Sequence, residues 1–278
     1  MTVLELSAAI WLGSVAAGFL GSLTGLGGGV VIVPLLTLGL GVDIRYAIGA
    51  SLVSVIATSS GAAIAYVRER FANIRVAMLL EVATTLGATL GAVIATRVSA
   101  SVIAVIFGVV LISSVYASSK PRGRPTGEEP PDRTAARLRL DSTFPDADGP
   151  RAYRVHAVPL GFGLMALAGA LSGLLGIGSG AMKVLAMDRA MRLPFKVSTT
   201  TSNFMIGVTA AASAGIYLTR GYIDPGLAMP TMLGVLTGSL LGARILAGAT
   251  TRVLRLVFAA VILLLGIEMI VSGLTGRL

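Results

Sequence analysis

From Leu6 to Val42 the chain carries no charged side chain, and the same is true from Val98 to Ser119. A soluble domain cannot leave runs of this length uncharged and still cover its surface. About 20 apolar residues span the hydrocarbon core of a bilayer as a helix. Transmembrane barrels use alternating segments of roughly ten residues, and these runs are longer and do not alternate. Across all 278 residues only 13% are charged, about half the usual share of a globular domain. The sequence therefore predicts an all-α polytopic membrane protein.

There is no cysteine, which excludes disulfides, thiolate nucleophiles and thiolate metal sites. The single histidine, His156, lies beside a polar stretch, so histidine-dependent hydrolysis is not expected and no cofactor or metal is called for. The opening MTVLELSAAIWLGS carries Glu5 and no basic residue. A cleaved signal peptide wants a positive start, so this segment reads as a first membrane helix. The formal net charge of +9 is assigned to membrane topology rather than to nucleic acid.

Displaced by 151 residues, the sequence matches itself without gaps, with 22 identities in the 94 positions from 17 to 110. AGFLGSLTGLGGG from Ala17 falls on AGALSGLLGIGSG from Ala168, Ser51 on Ser202, Thr58 on Thr209, and Gly87 and Gly91 on Gly238 and Gly242. The chain divides into a first repeat, 1–117, a polar linker, 118–155, and a second repeat, 156–278. The linker opens SSKPRGRPTGEEPPDR, a composition that predicts a disordered or weakly structured segment acting as a simple tether. Each repeat holds five apolar segments, about 4–24, 28–41, 46–66, 75–96 and 99–117, then 156–175, 178–191, 197–219, 226–247 and 252–273. If all ten cross, one side collects seventeen Lys and Arg residues and the other four. If the short second segment of each repeat turns back instead, the split is thirteen to eight. Cytoplasmic loops carry the Lys/Arg excess, which favours ten crossings, a cytoplasmic linker and both termini outside. Five crossings per repeat make the second copy inverted, an arrangement common in secondary transporters.

The stretch Gly25-Leu26-Gly27-Gly28-Gly29 joins the first two segments, and its copy Gly176-Ile177-Gly178-Ser179-Gly180 joins the sixth and seventh. Neither ends in the Lys-Ser/Thr of a phosphate-binding loop. Each precedes a helix too short to span comfortably, so the turns are expected to sit recessed in the membrane. Irregular backbone at that depth is tolerated only inside protein or along a cavity, and free N–H groups at a helix start attract anions. The candidate substrate-binding set is Gly25, Gly27, Gly28 and Gly29 with Ser51, and Gly176, Gly178, Ser179 and Gly180 with Lys183, Ser202 and Asn203. Lys183 is either a counter-charge for an anion or a residue snorkelling to the interface. Ser198 or Thr199 is expected to cap its helix. Glu81 is a candidate for proton coupling, and Glu268 a weaker one. The GxxxG spacings at Gly87/Gly91 and Gly238/Gly242 are assigned to close helix packing.

The pattern G-x-x-x-G-x-G-G-G ending at Gly29, the apolar run to Pro34 and the degenerate copy after Gly169 resemble the TauE/SafE family, also called the sulfite exporter or TSUP family. The resemblance covers both repeats. It implies a bacterial cytoplasmic (inner) membrane transporter for sulfite, sulfoacetate or related organosulfonates. The expected partners are that small anion and membrane lipid. A passive anion channel, a membrane-embedded enzyme and a non-transporting scaffold remain as alternatives. The enzyme is disfavoured by the scarcity of catalytic groups.

Overall fold

The computed structural model describes residues 3–24, 28–68, 72–119, 132–146, 149–246 and 251–276. The first half contains α1 (Val3–Thr24), a short α2 (Gly29–Pro34) running into a π-helical turn (Leu35–Gly39), α3 (Ile44–Arg68), α4 (Ile74–Ala95) and α5 (Ala100–Ser119). A connecting segment follows with α6 (Arg133–Arg137), β1 (Ser142–Asp146) and β2 (Gly149–Tyr153). The second half contains α7 (Val158–Leu175), α8 (Gly180–Leu185) with its π turn (Ala186–Ala190), α9 (Phe195–Thr219), α10 (Pro225–Leu246) and α11 (Thr251–Thr275).

The offset of 151 reappears in these boundaries. The starts of α2, α3, α4 and α5, and the first π turn, recur 151 residues later in α8, α9, α10, α11 and the second π turn. The packing repeats as well. Helix α1 lies along α10 as α7 lies along α4, α3 meets α10 as α9 meets α4, and α3–α9 and α5–α11 pair across the halves. Pro34 removes a backbone donor and crowds the preceding turn, which invites a widened π turn. The second π turn forms with Leu185 in the equivalent place, so packing rather than proline sets this geometry.

Four described helices are long and apolar enough to cross a membrane: Leu4–Gly21, Ile74–Ala95, Val158–Leu175 and Pro225–Gly242. Gly29–Gly39, Ile44–Ser60, Ala100–Tyr116 and Ala259–Thr275 are shorter apolar helices. The outer face of α4 is apolar at every fourth position, with Met78, Val82, Leu86, Leu90 and Ile94 all exposed. That stripe belongs against lipid rather than water. Its inner face is made of small residues. A Cβ on Gly87 would run into the backbone at Ala166 and one on Gly91 into that at Ala170, and one on Gly169 or Gly173 would run into α4 at Thr84 or Ala88. The two backbones touch because glycine lets them, as the GxxxG spacing predicts.

The connecting segment's described residues, 132–146 and 149–155, hold a short helix and a two-stranded hairpin. The Asp132 carboxylate caps α6 through the Thr134 N–H (2.8 Å) and also accepts from the Val158 N–H at the start of α7 (2.9 Å). Asn73, the N-cap of α4, donates from Nδ2 to the Leu140 carbonyl (2.9 Å) and to the Tyr153 hydroxyl (2.8 Å). Ala135, Leu140 and Val155 are buried against Val76, Leu80, Met187 and Met191. Three apolar anchors among many charges suffice to dock this stretch, and composition averages them away.

Candidate functional site

The second glycine turn sits at mid-length of α3 and α9. Gly176 (φ +69°), Gly178 (φ +70°) and Ser179 (φ +46°) are all left-handed, a conformation that costs a residue with a Cβ about 1–2 kcal/mol. Gly178 lies against Val55 of α3 and Ile206 of α9, and Gly180 against Ile206 and Ser202. The Ser51 hydroxyl donates to the Gly176 carbonyl (2.8 Å), and the Ser202 hydroxyl to the Gly180 carbonyl (3.2 Å). Gly29, from the first turn, faces the same place: a Cβ there would lie 2.7 Å from Ser51 Oγ and 3.2 Å from the Gly176 carbonyl oxygen. Ser51 therefore ties the two turns together across the halves.

Ser179 is buried, and its hydroxyl has no hydrogen-bond partner among the described residues. An orphaned buried hydroxyl is uncommon. It stands beside the start of α8 and is free to meet a ligand.

One helical turn on, Lys183 is fully buried. Its ammonium donates to Thr209 Oγ1 (2.5 Å), and that hydroxyl donates to Glu81 Oε1 (2.7 Å). The three residues come from α8, α9 and α4. Ser202, Ile206 and Thr209 share one face of α9 by their spacing of four and three, so the turn and the lysine line the same strip of that helix. Thr85 donates to Glu81 Oε1 at 3.3 Å, while Glu81 Oε2 is buried without a partner. An isolated ammonium in this setting is costly. Here it donates a hydrogen bond and finds, one hydroxyl away, a counter-charge.

Residues 10–269 match the family described as sulfite exporter TauE/SafE. The chain belongs to that family. It is similar to the probable membrane transporter protein YunE of Bacillus subtilis (strain 168), 29% identical over 267 residues that cover 93% of this chain and 95% of the relative. No solved structure matches. As a TauE/SafE protein with apolar helices facing outward, the chain is a multi-pass membrane transporter, and the family is one of transporters rather than enzymes.

Among the residues singled out in this TauE/SafE sequence, Gly29, Ser51, Gly176, Gly178, Ser179, Gly180, Lys183 and Ser202 converge where α3, α8 and α9 meet, while Gly28 lies against Val235 of α10 and Gly18 of α1. Gly25 and Gly27 lie outside the described residues. Asn203 is half-buried and next to Ser202. Burial removes the snorkelling reading of Lys183. Ser198 and Thr199 do not cap α9, which starts at Phe195. Thr199 instead bonds back to the Phe195 carbonyl (2.9 Å). Glu268 is exposed on α11, away from the cluster. Sequence reasoning missed Thr209, although two lone charges of opposite sign inside otherwise uncharged helices signal a bridging polar residue.

Proposed function

We propose that this protein is a secondary transporter that carries a small sulfur-containing oxyanion, sulfite, sulfoacetate or another organosulfonate, across the bacterial cytoplasmic membrane. The observation that carries the reading is the second glycine turn. It is left-handed, buried at mid-length of two long helices, and holds an unpartnered hydroxyl one helical turn from a buried lysine. Such a turn offers backbone N–H groups, a hydroxyl and a positive charge to one anion. The two halves act as inverted repeats of five segments, with the linker cytoplasmic and both termini outside. Support comes from the 151-residue offset, from packing pairs that exchange with the halves, and from the opposite charge bias of equivalent loops. Alternating access then comes from rocking one half against the other around the turns.

The test is a thermal shift of purified protein with sulfite, sulfate, thiosulfate, sulfoacetate and taurine, comparing wild type with Lys183→Ala. The reading expects selective stabilisation by one sulfur oxyanion, lost in the variant. Absence of stabilisation by any anion overturns it.

A further inference from the structure

The Lys183–Thr209–Glu81 cluster has a counterpart in the other half where no charge is present. Displaced by 151, Lys183 corresponds to Ile32, Thr209 to Thr58 and Glu81 to Met232. The α3–α10 contact reproduces the α9–α4 contact, so the fold packs this junction without an ion at the equivalent positions. Thr58 there bonds only within its own helix, to the Ser54 carbonyl (3.0 Å) and the Val55 carbonyl (3.2 Å). Structural need does not account for the pair of charges where α4, α8 and α9 meet. Burying charge is expensive even when it is paired.

The pair is also incompletely satisfied. Thr209 keeps Lys183 and Glu81 one hydroxyl apart, and Glu81 Oε2 has no donor among the described residues. Few other charges bear on Glu81. Helix α7 has none, and α9 has only Lys196 at its start. The α8 strand of the cluster brings Lys183 and, in its π turn, Asp188 and Arg189. On α4 itself Arg75 is committed to the Arg139 carbonyl (2.9 Å). Lys183 is therefore the charge that stands across one hydroxyl from Glu81, and it is the same charge an anion at the glycine turn would claim.

We infer that Glu81 is the proton site of an anion–proton symporter, with Lys183 exchanged between the Glu81 carboxylate and the substrate anion. The inference rests on the transport reading above and names its coupling ion. Without substrate, ammonium and carboxylate cancel. When a monoanion enters, Lys183 serves it, and the carboxylate is left alone among apolar helices. A proton from water then bonds to Oε2. The net charge of the site is zero before and after, so one anion and one proton cross together. By linkage, protonation and anion binding favour each other equally.

The experiment uses proteoliposomes of the full chain with a trapped pH dye, given methanesulfonate, a monoanion whose sulfonate stays ionised, and separately sulfoacetate as a second transport substrate. The expected result is one proton moved per methanesulfonate by wild type. E81Q should move no proton with the anion, whatever its anion rate. Where proton and anion bind together, wild-type anion affinity should fall by about tenfold per pH unit as pH rises, and E81Q should lose that slope. Anion movement by wild type without protons overturns the coupling and leaves the transport reading standing, and so does a proton still carried by E81Q. Movement of neither anion removes both. The wild-type ratio decides the question even if E81Q fails to fold.

Discussion

Replacing Thr209 by valine keeps the shape of the side chain and removes one hydroxyl. In this protein that hydroxyl accepts from Lys183 Nζ at 2.5 Å and donates to Glu81 Oε1 at 2.7 Å. Hydrogen bonds to charged groups are worth about 1.5–3 kcal/mol each. Two are lost, and part is recovered if lysine and carboxylate close on each other, so the expected cost is about 3 kcal/mol. At roughly 2–4 °C per kcal/mol, Tm in detergent should fall by about 6–12 °C. Thr209→Ser keeps the hydroxyl and loses one methyl, worth about 0.8 kcal/mol, and should melt well above the valine variant. Thr58→Val is the matched control, because Thr58 bonds only to carbonyls of its own helix. It should cost under about 1 kcal/mol. If Thr209→Val melts at or above Thr209→Ser, the hydroxyl does not bridge the charges and the cluster is wrongly drawn.

Gly91→Leu should prevent assembly, since its side chain would enter the α7 backbone at Ala170; Gly163→Ala meets nothing and should raise Tm, because alanine is about 1 kcal/mol the better helix former. Expression and melting of the two variants check this pair. Ser179→Gly should raise Tm, relieving about 1–2 kcal/mol of left-handed strain together with an orphaned hydroxyl, yet weaken anion binding in the same thermal-shift assay. Hydrogen bonds from the Val158 and Thr134 N–H groups hold the Asp132 carboxyl below its ordinary value. A lowered carboxyl pKa stabilises the docked segment above the unfolded value, about 3.9, and that contribution is lost as pH falls through the folded value. Limited proteolysis should therefore show residues 132–155 opening below about pH 4, and Asp132→Asn should lose this pH dependence.

The architecture was legible in the sequence because its signals are long and repeated. Uncharged runs mark helices, and the match of Gly87 and Gly91 to Gly238 and Gly242 fixes an offset that the helix boundaries reproduce. The second glycine turn was legible too, since few residues besides glycine occupy φ near +70°, as Gly176 and Gly178 do. The Lys183–Thr209–Glu81 cluster was only half visible. Its members lie on three helices, and threonine is too common in membrane helices to stand out until a lysine and a carboxylate are found on either side of it. Capping at Ser198 or Thr199 was misplaced because Pro194 begins α9 earlier, which leaves those hydroxyls inside the helix to bond back to carbonyls. The docking of the connecting segment was not legible because it rests on Asn73, which belongs to α4 and is distant in sequence.

The central claim is that the buried turn and its lysine bind a sulfur oxyanion on its way across the membrane. Counterflow tests it most directly: proteoliposomes loaded with unlabelled sulfoacetate and diluted into a trace of labelled sulfoacetate, with sulfite as competitor. A carrier with its site between the halves gives a transient, saturable accumulation of label that Lys183→Ala abolishes. Uptake that never overshoots, or an overshoot of wild-type size in Lys183→Ala, would contradict the account.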